Sequence, residues 1–281
     1  MSAGVWLFAI ALIAAAVNGG LGYGFSSITV PVALLFRSSR VLNPALVLVE
    51  VLVNGVSLWA NRRFVKAVFA RVRPMALGAI PGAALGSLVL AWAHPGWLKL
   101  FTFAVLLPFI LLQIAGVRRP LRNERRGALP AGAALGLLYG ATTVSGPPLA
   151  LLFNNQGLSR DEFRASLAIF RVAESCCTAA AYVILGLITA ESGQLFLSLL
   201  PAVLIGFPAG FLLLRLLPAE AFRRACMATD ATLVGFGLAH SLIEQHLASP
   251  AVAWVGFAVL ICAVAVLLGV NFKSAPAAEP A

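Results

Sequence analysis

Apolar residues run along this chain in long blocks. Seven of them, at about 41–60, 74–93, 98–117, 165–186, 195–214, 223–241 and 250–270, match the roughly 20 helical residues that cross a hydrocarbon core about 30 Å thick. Two further stretches, 4–36 and 128–153, are too long for one straight crossing. "NGGLGYGFSSITVP" interrupts the first and "GATTVSGPP" the second. Glycine costs backbone entropy and proline removes a donor, so both stretches predict a helix that breaks inside apolar surroundings. Such a break is tolerated only where protein or a water-filled cavity encloses it, as at the turn of a re-entrant hairpin.

The two interrupted stretches resemble each other. Aligned without gaps at an offset of 117, residues 18–36 and 135–153 match at seven of nineteen positions, pairing Pro31 with Pro148 and Phe36 with Phe153. "AIPGAALG" (79–86) then corresponds to "GFPAGFLL" (206–213), which predicts an internal two-fold repeat. The expected fold is an all-α polytopic membrane protein of two inverted repeats. Each repeat is a broken, re-entrant helical hairpin plus three transmembrane helices, and an extra transmembrane helix follows at the C-terminal end. The boundaries are 1–117 for the first repeat, 118–127 for a basic cytoplasmic linker, 128–241 for the second repeat, 242–271 for the additional helix and 272–281 for a disordered tail.

Composition agrees with the pattern. The 281 residues are 61% hydrophobic and 11% charged, with a mean hydropathy of +0.97, against about 25% charge in a soluble domain. The net charge of +10 suggests nucleic acid in a soluble chain, but here the bases fall in short gaps between apolar blocks, so no nucleic-acid partner is expected. Arg62, Arg63, Lys66, Arg71 and Arg73 occupy one gap, and Arg118, Arg119, Arg122, Arg125 and Arg126 another, which predicts both to be cytoplasmic. Arg215, Arg223 and Arg224 place a third gap inside, as Arg160 and Arg164 do for the stretch after 153. Segment 128–153 then begins and ends on one side. Arg37 and Arg40 run against this scheme, since both fall outside. The N-terminus lacks the basic region of a cleaved signal, so the first apolar segment is expected to stay. Cys176, Cys177, Cys226 and Cys262 all fall in apolar segments at no metal or redox spacing, and are expected to be buried free thiols.

Interrupted helices that meet at the midplane are a feature of secondary transporters. Half-helix N-termini present free N–H groups and a positive dipole end, so the predicted ligand is a small anion. Candidate binding residues are Asn18, Gly20, Gly22, Gly24, Ser26, Ser27, Thr142, Thr143, Ser145 and Gly146. Gly82 and Gly86 read instead as close-packing positions.

These same motifs carry a resemblance. "GGLGYGFSSITVP", "GLLYGATTVSGPPLALLFNNQG" and "FRASLAIF" (163–170) resemble the sulfite exporter TauE/SafE family of bacterial membrane permeases, in its S-G-P-P form, over about 4–241. The resemblance implies a permease of sulfite, sulfonates or related organic anions, ion-coupled, in the bacterial inner membrane. Its first motif carries over onto Gly19, Gly20, Gly22, Gly24 and Pro31, and its second onto Ser145, Gly146, Pro147, Pro148 and Arg164. The chain departs from the family in reading "GYGFSS" where many relatives have three consecutive glycines.

Charges inside apolar spans are costly unless paired or solvated, which singles out Glu50, Arg171, Glu174 and Asp230. Arg171 and Glu174 stand at i, i+3 on one helix face, where a pair is either a structural lock or functional. In the functional reading Arg171 supplies positive charge to the anion, and Glu50 or Glu174 carries a coupling proton. No metal site and no cofactor are expected. Two rivals stay open: a passive anion channel, and an intramembrane hydrolase using Ser26, Ser27 or Ser145 with His94 or His240 as base.

Overall fold

A computed structural model of the chain describes residues 3–116, 124–154, 156–216 and 219–273. Its elements are helices α1 (Ala3–Leu21), α2 (Phe25–Ala33), α3 (Ser39–Ala60), α4 (Arg62–Trp92) and α5 (Pro95–Ile114), followed by α6 (Glu124–Thr142), α7 (Gly146–Asn154), α8 (Arg160–Ile184), α9 (Ala190–Leu216), α10 (Ala219–Glu244) and α11 (Pro250–Lys273). Eight of these are long and apolar enough to cross a membrane. α2 and α7, at nine residues each, are about 13 Å long and reach through less than half of the hydrocarbon core.

Both predicted breaks are present, and their causes differ. The first spans Gly22 to Gly24, whose φ angles of 84° and 109° suit residues without a Cβ. The second turns at Thr143, whose φ of 58° is an uncommon state for a β-branched residue. Pro147 and Pro148 follow in the first turn of α7, where a missing N–H costs no hydrogen bond.

Element order repeats. α7 and α8 begin 121 residues after α2 and α3, and α6 ends 121 residues after α1. The spacing is therefore 121 rather than the 117 of the sequence alignment, a difference of about one helical turn. Pro31 consequently lies inside α2, well past the break, and is not the counterpart of Pro148.

The halves are interleaved. α4 packs on α6 and α9 on α1, so each long helix lies against the other half's broken helix. Glycines permit this: a Cβ at Gly82 or Gly86 would overlap backbone of Ala133 or Leu137, and one at Gly206 or Gly210 would overlap backbone of Leu12 or Ala16. Close backbone approach through small residues is the usual device where both surroundings are apolar.

Two sequence expectations need correction. The basic stretch 61–73 is not a loop, because α4 runs through it from Arg62. It contains neither glycine nor proline before Pro74, so nothing stops the helix. The four cysteines are free, but only Cys226 is buried; Cys176 and Cys262 lie on the outer surface. The anomalous arginines are satisfied locally: Arg37 pairs with Glu191 at 2.7 Å, and Arg40 donates to the carbonyls of Ala91 and Ala93. Most of the predicted basic linker, and the predicted tail beyond Lys273, lie outside the described residues.

Candidate functional site

The two breaks meet. Tyr23, in the first, lies against Gly146, which opens α7 after the second. Around this point the side chains are buried and polar. Glu50, the twelfth residue of α3, accepts from Arg171, the twelfth of α8, at 2.7 Å, and its other oxygen accepts from the Tyr139 hydroxyl at 2.6 Å. Ser145 Oγ donates to Glu174 Oε2 at 2.8 Å. Asn54 Nδ2 donates to the Arg171 carbonyl and to Ser175 Oγ at 3.4 and 3.3 Å.

Two anchors fix the long helices on the broken ones. Asn43, near the start of α3, donates to the Ala141 carbonyl at 3.0 Å. Arg164, near the start of α8, donates to the Gly19 carbonyl at 3.0 Å. Asn43 and Arg164 are 121 positions apart, as are Glu50 and Arg171, so the recurring geometry extends to side chains. Gln113 further tethers α5 to the Pro147 carbonyl.

Of the residues singled out in the sequence, Arg171, Glu174, Glu50, Ser145 and Gly146 converge here. Thr143 joins through Asn43 Oδ1, at 3.5 Å, and Thr142 hydrogen-bonds back onto its own helix. Ser27 points elsewhere, to Asp230 at 3.0 Å, with Ser26 beside it in the first turn of α2. Asn18 and Gly20 are buried in the last turn of α1, where the Asn18 side chain has no partner. Gly22 and Gly24 form the first turn itself. Arg171 pairs with Glu50 across helices rather than with Glu174 along its own. Tyr139, Asn43 and Asn54 carried no local sequence signal as site residues.

The arrangement leaves chemistry unused. Arg171 is 1% exposed, yet its Nε and Nη1 have no partner, and Nη1 stands 3.6 Å from where a Gly146 Cβ would lie. Glu174 Oε1 is likewise unpartnered. The prolines make this matter. They strip two of the donors that a helix N-terminus would offer, so in the second half Arg171 supplies what α7 lacks. In the first half Phe25, Ser26 and Ser27 keep their N–H groups, which have no backbone partner among the described residues.

The histidines are engaged away from the breaks: His94 caps α5 by accepting from the Gly96 N–H, and His240 lies 3.2 Å from Glu244. The serine and histidine candidates for hydrolysis are thus not brought together. Among the described residues no His, Cys, Asp and Glu group has the arrangement to hold a metal ion.

No curated protein and no solved structure matches the chain. The family model described as sulfite exporter TauE/SafE matches residues 7–235, from α1 into α10, leaving α11 outside it. The match takes in both broken helices and the buried polar cluster between them: the chain belongs to the sulfite exporter TauE/SafE family, a family of membrane transporters of sulfur-related anions.

Proposed function

We propose that this protein is a secondary transporter of a small sulfur oxyanion, sulfite or a sulfonate, in the bacterial inner membrane. The observation that carries the reading is Arg171: a fully buried guanidinium with two unpartnered nitrogens, facing the Gly146 backbone where two broken helices meet. An unsatisfied cation in such a place is costly, and an anion removes the cost. Charge balance adds proton coupling. Glu50 already neutralises Arg171, so an incoming anion and an ionised Glu174 would be two uncompensated negative charges, and a proton on Glu174 reduces them to one.

Access supports alternating exposure from two sides. One cavity, about 640 Å³, is lined by Ala67, Ala70, Arg71, Ala128 and Phe153, among others. Another, about 360 Å³, is lined by Leu7, Arg37, Val41, Glu191 and Gln194, among others. Val41 lies in the first turn of α3, and Ala67 follows soon after its end, so the cavities lie near opposite ends of a helix about 33 Å long. In this reading the halves are inverted, with Glu50 and Arg171 facing each other across the axis that relates them.

Purified protein in liposomes, tested for sulfite flux with and without an imposed proton gradient, checks the proposal. Gradient-driven accumulation that Arg171→Ala abolishes is the expected result. Flux that is gradient-independent and never exceeds equilibration would make the protein a channel instead.

A further inference from the structure

Asp230, on α10, is a third buried carboxylate and stands apart from the Arg171 cluster. It is 5% exposed; Oδ2 lies 3.0 Å from Ser27 Oγ, and Oδ1 has no partner. Ser27 Oγ also lies 3.1 Å from the carbonyl of Gly24, the residue that ends the first break. The hydroxyl has one hydrogen and two acceptors. When Asp230 holds a proton it donates to Ser27 Oγ, which then donates to Gly24, and the chain is complete. When Asp230 is ionised the hydroxyl hydrogen turns to the carboxylate, and the Gly24 carbonyl loses it.

Among the described residues no cation lies against Asp230. α10 packs against α2, α5 and α11. α2 has no charged residue; Lys99, the one charged residue of α5, is held by Glu244 at 2.8 Å; and α11 carries its one charge, Lys273, at its last position. On α10 itself Cys226 faces Asp230 from one turn before; Arg223 and Arg224 lie seven and six positions before, about two turns away, and His240 ten positions beyond. Burying a carboxylate without a counter-charge is costly, and water reaching the site lowers the cost.

We infer that Asp230 is an exchangeable proton site, and that Ser27 passes its occupancy to the first broken turn. Protonated, it closes that turn; ionised, it draws the Ser27 hydroxyl to itself and releases the Gly24 carbonyl. The protonation stands on these contacts alone, and only its use in coupling rests on the transporter reading.

Infrared difference spectra of the full-length protein in lipid, stepped between acidic and alkaline pH, test the site directly. A carboxylic C=O band is expected in acid and lost in alkali, absent in Asp230→Asn, shifted in Ser27→Ala and retained in Glu174→Gln. A band that persists at every pH, an Asp230→Asn spectrum equal to wild type, or a band removed by Na⁺ at constant pH would each overturn the assignment. In liposomes, Asp230→Asn is expected to lose proton-driven sulfite accumulation; accumulation equal to wild type would overturn the coupling role. Absence of sulfite flux in the wild type would overturn the transporter reading while leaving the infrared result intact.

Discussion

Arg171 has two tasks, and substitution can separate them. One nitrogen holds Glu50 at 2.7 Å, while Nε and Nη1 are left for a ligand. Lysine keeps the charge without the planar set of donors, so Arg171→Lys should fold and insert but weaken sulfite binding by roughly ten- to a hundredfold, the worth of one charged hydrogen bond. Calorimetry on purified protein measures this, and unchanged affinity would remove Arg171 from the site. Gly146 gives a gentler probe. A Cβ there meets Arg171 Nη1 and Tyr23 Cδ2 at 3.6 Å, ordinary contact, so Gly146→Ala should fold normally while filling the space in front of Arg171. Retained melting temperature with lost binding is the expected pair of results; retained binding would place the anion elsewhere. Glu174 tests coupling. Its proton is taken up at low pH and released at high pH, so anion binding should weaken as pH rises. In Glu174→Gln, which stays neutral, that dependence should flatten. Methanesulfonate, whose own charge is constant near neutrality, is the suitable probe, and an unchanged pH profile in the variant would assign the proton to another group.

At the scale of elements, the broken helix α6–α7 is where local chemistry and function meet. If α6 continued into α7, the rings of Pro147 and Pro148 would clash with carbonyls of the preceding turn, at about 3 kcal/mol for each proline in a helix interior. Replacing both by alanine should therefore let the helices join and remove the gap facing Arg171, with anion binding lost and insertion kept. Binding that survives or tightens would mean that Thr143 alone holds the break and that the restored N–H groups serve the ligand. The break itself was legible because glycine and proline act locally. Its register was not: matching letters rewarded Pro31 against Pro148, whereas the helices correspond four residues further on, where Gly22 and Thr143 reach a turn by different means. Partners were hidden for a related reason. Arg171 and Glu174 are neighbours on one helix, which sequence spacing shows. That Arg171 instead takes Glu50, and Glu174 takes Ser145, depends on how α3, α7 and α8 pack. Tyr139 looked like one more apolar residue of α6 until α3 was set beside it.

For the whole molecule, the interleaving of halves sets how access can alternate. Each cavity is bounded by a long helix of one half and the broken helix of the other, and an arginine spans each boundary. Arg37, just after α2, holds Glu191 at the start of α9 at 2.7 Å, and Arg71 of α4 donates to the Gln156 carbonyl just after α7 at 3.2 Å. Both contacts are exposed, so neither adds much stability; an exposed ion pair contributes about 0–1 kcal/mol. Such a contact is weak enough to open during transport and well placed to report on it. With the native cysteines replaced, Arg37→Cys/Glu191→Cys joined by a short bifunctional thiol reagent should hold the two elements together and stop methanesulfonate flux, and reductive cleavage of the linker should restore it. The pair should also label from the outside only, and a single cysteine at Lys66 from the cytoplasm only, if the cavities open to opposite faces. Flux that continues at full rate in the cross-linked protein would show that α9 and the end of α2 do not separate during transport. The path to Arg171 would then have to run through α11 or the α5–α10 contact, and the 360 Å³ cavity would be a packing defect.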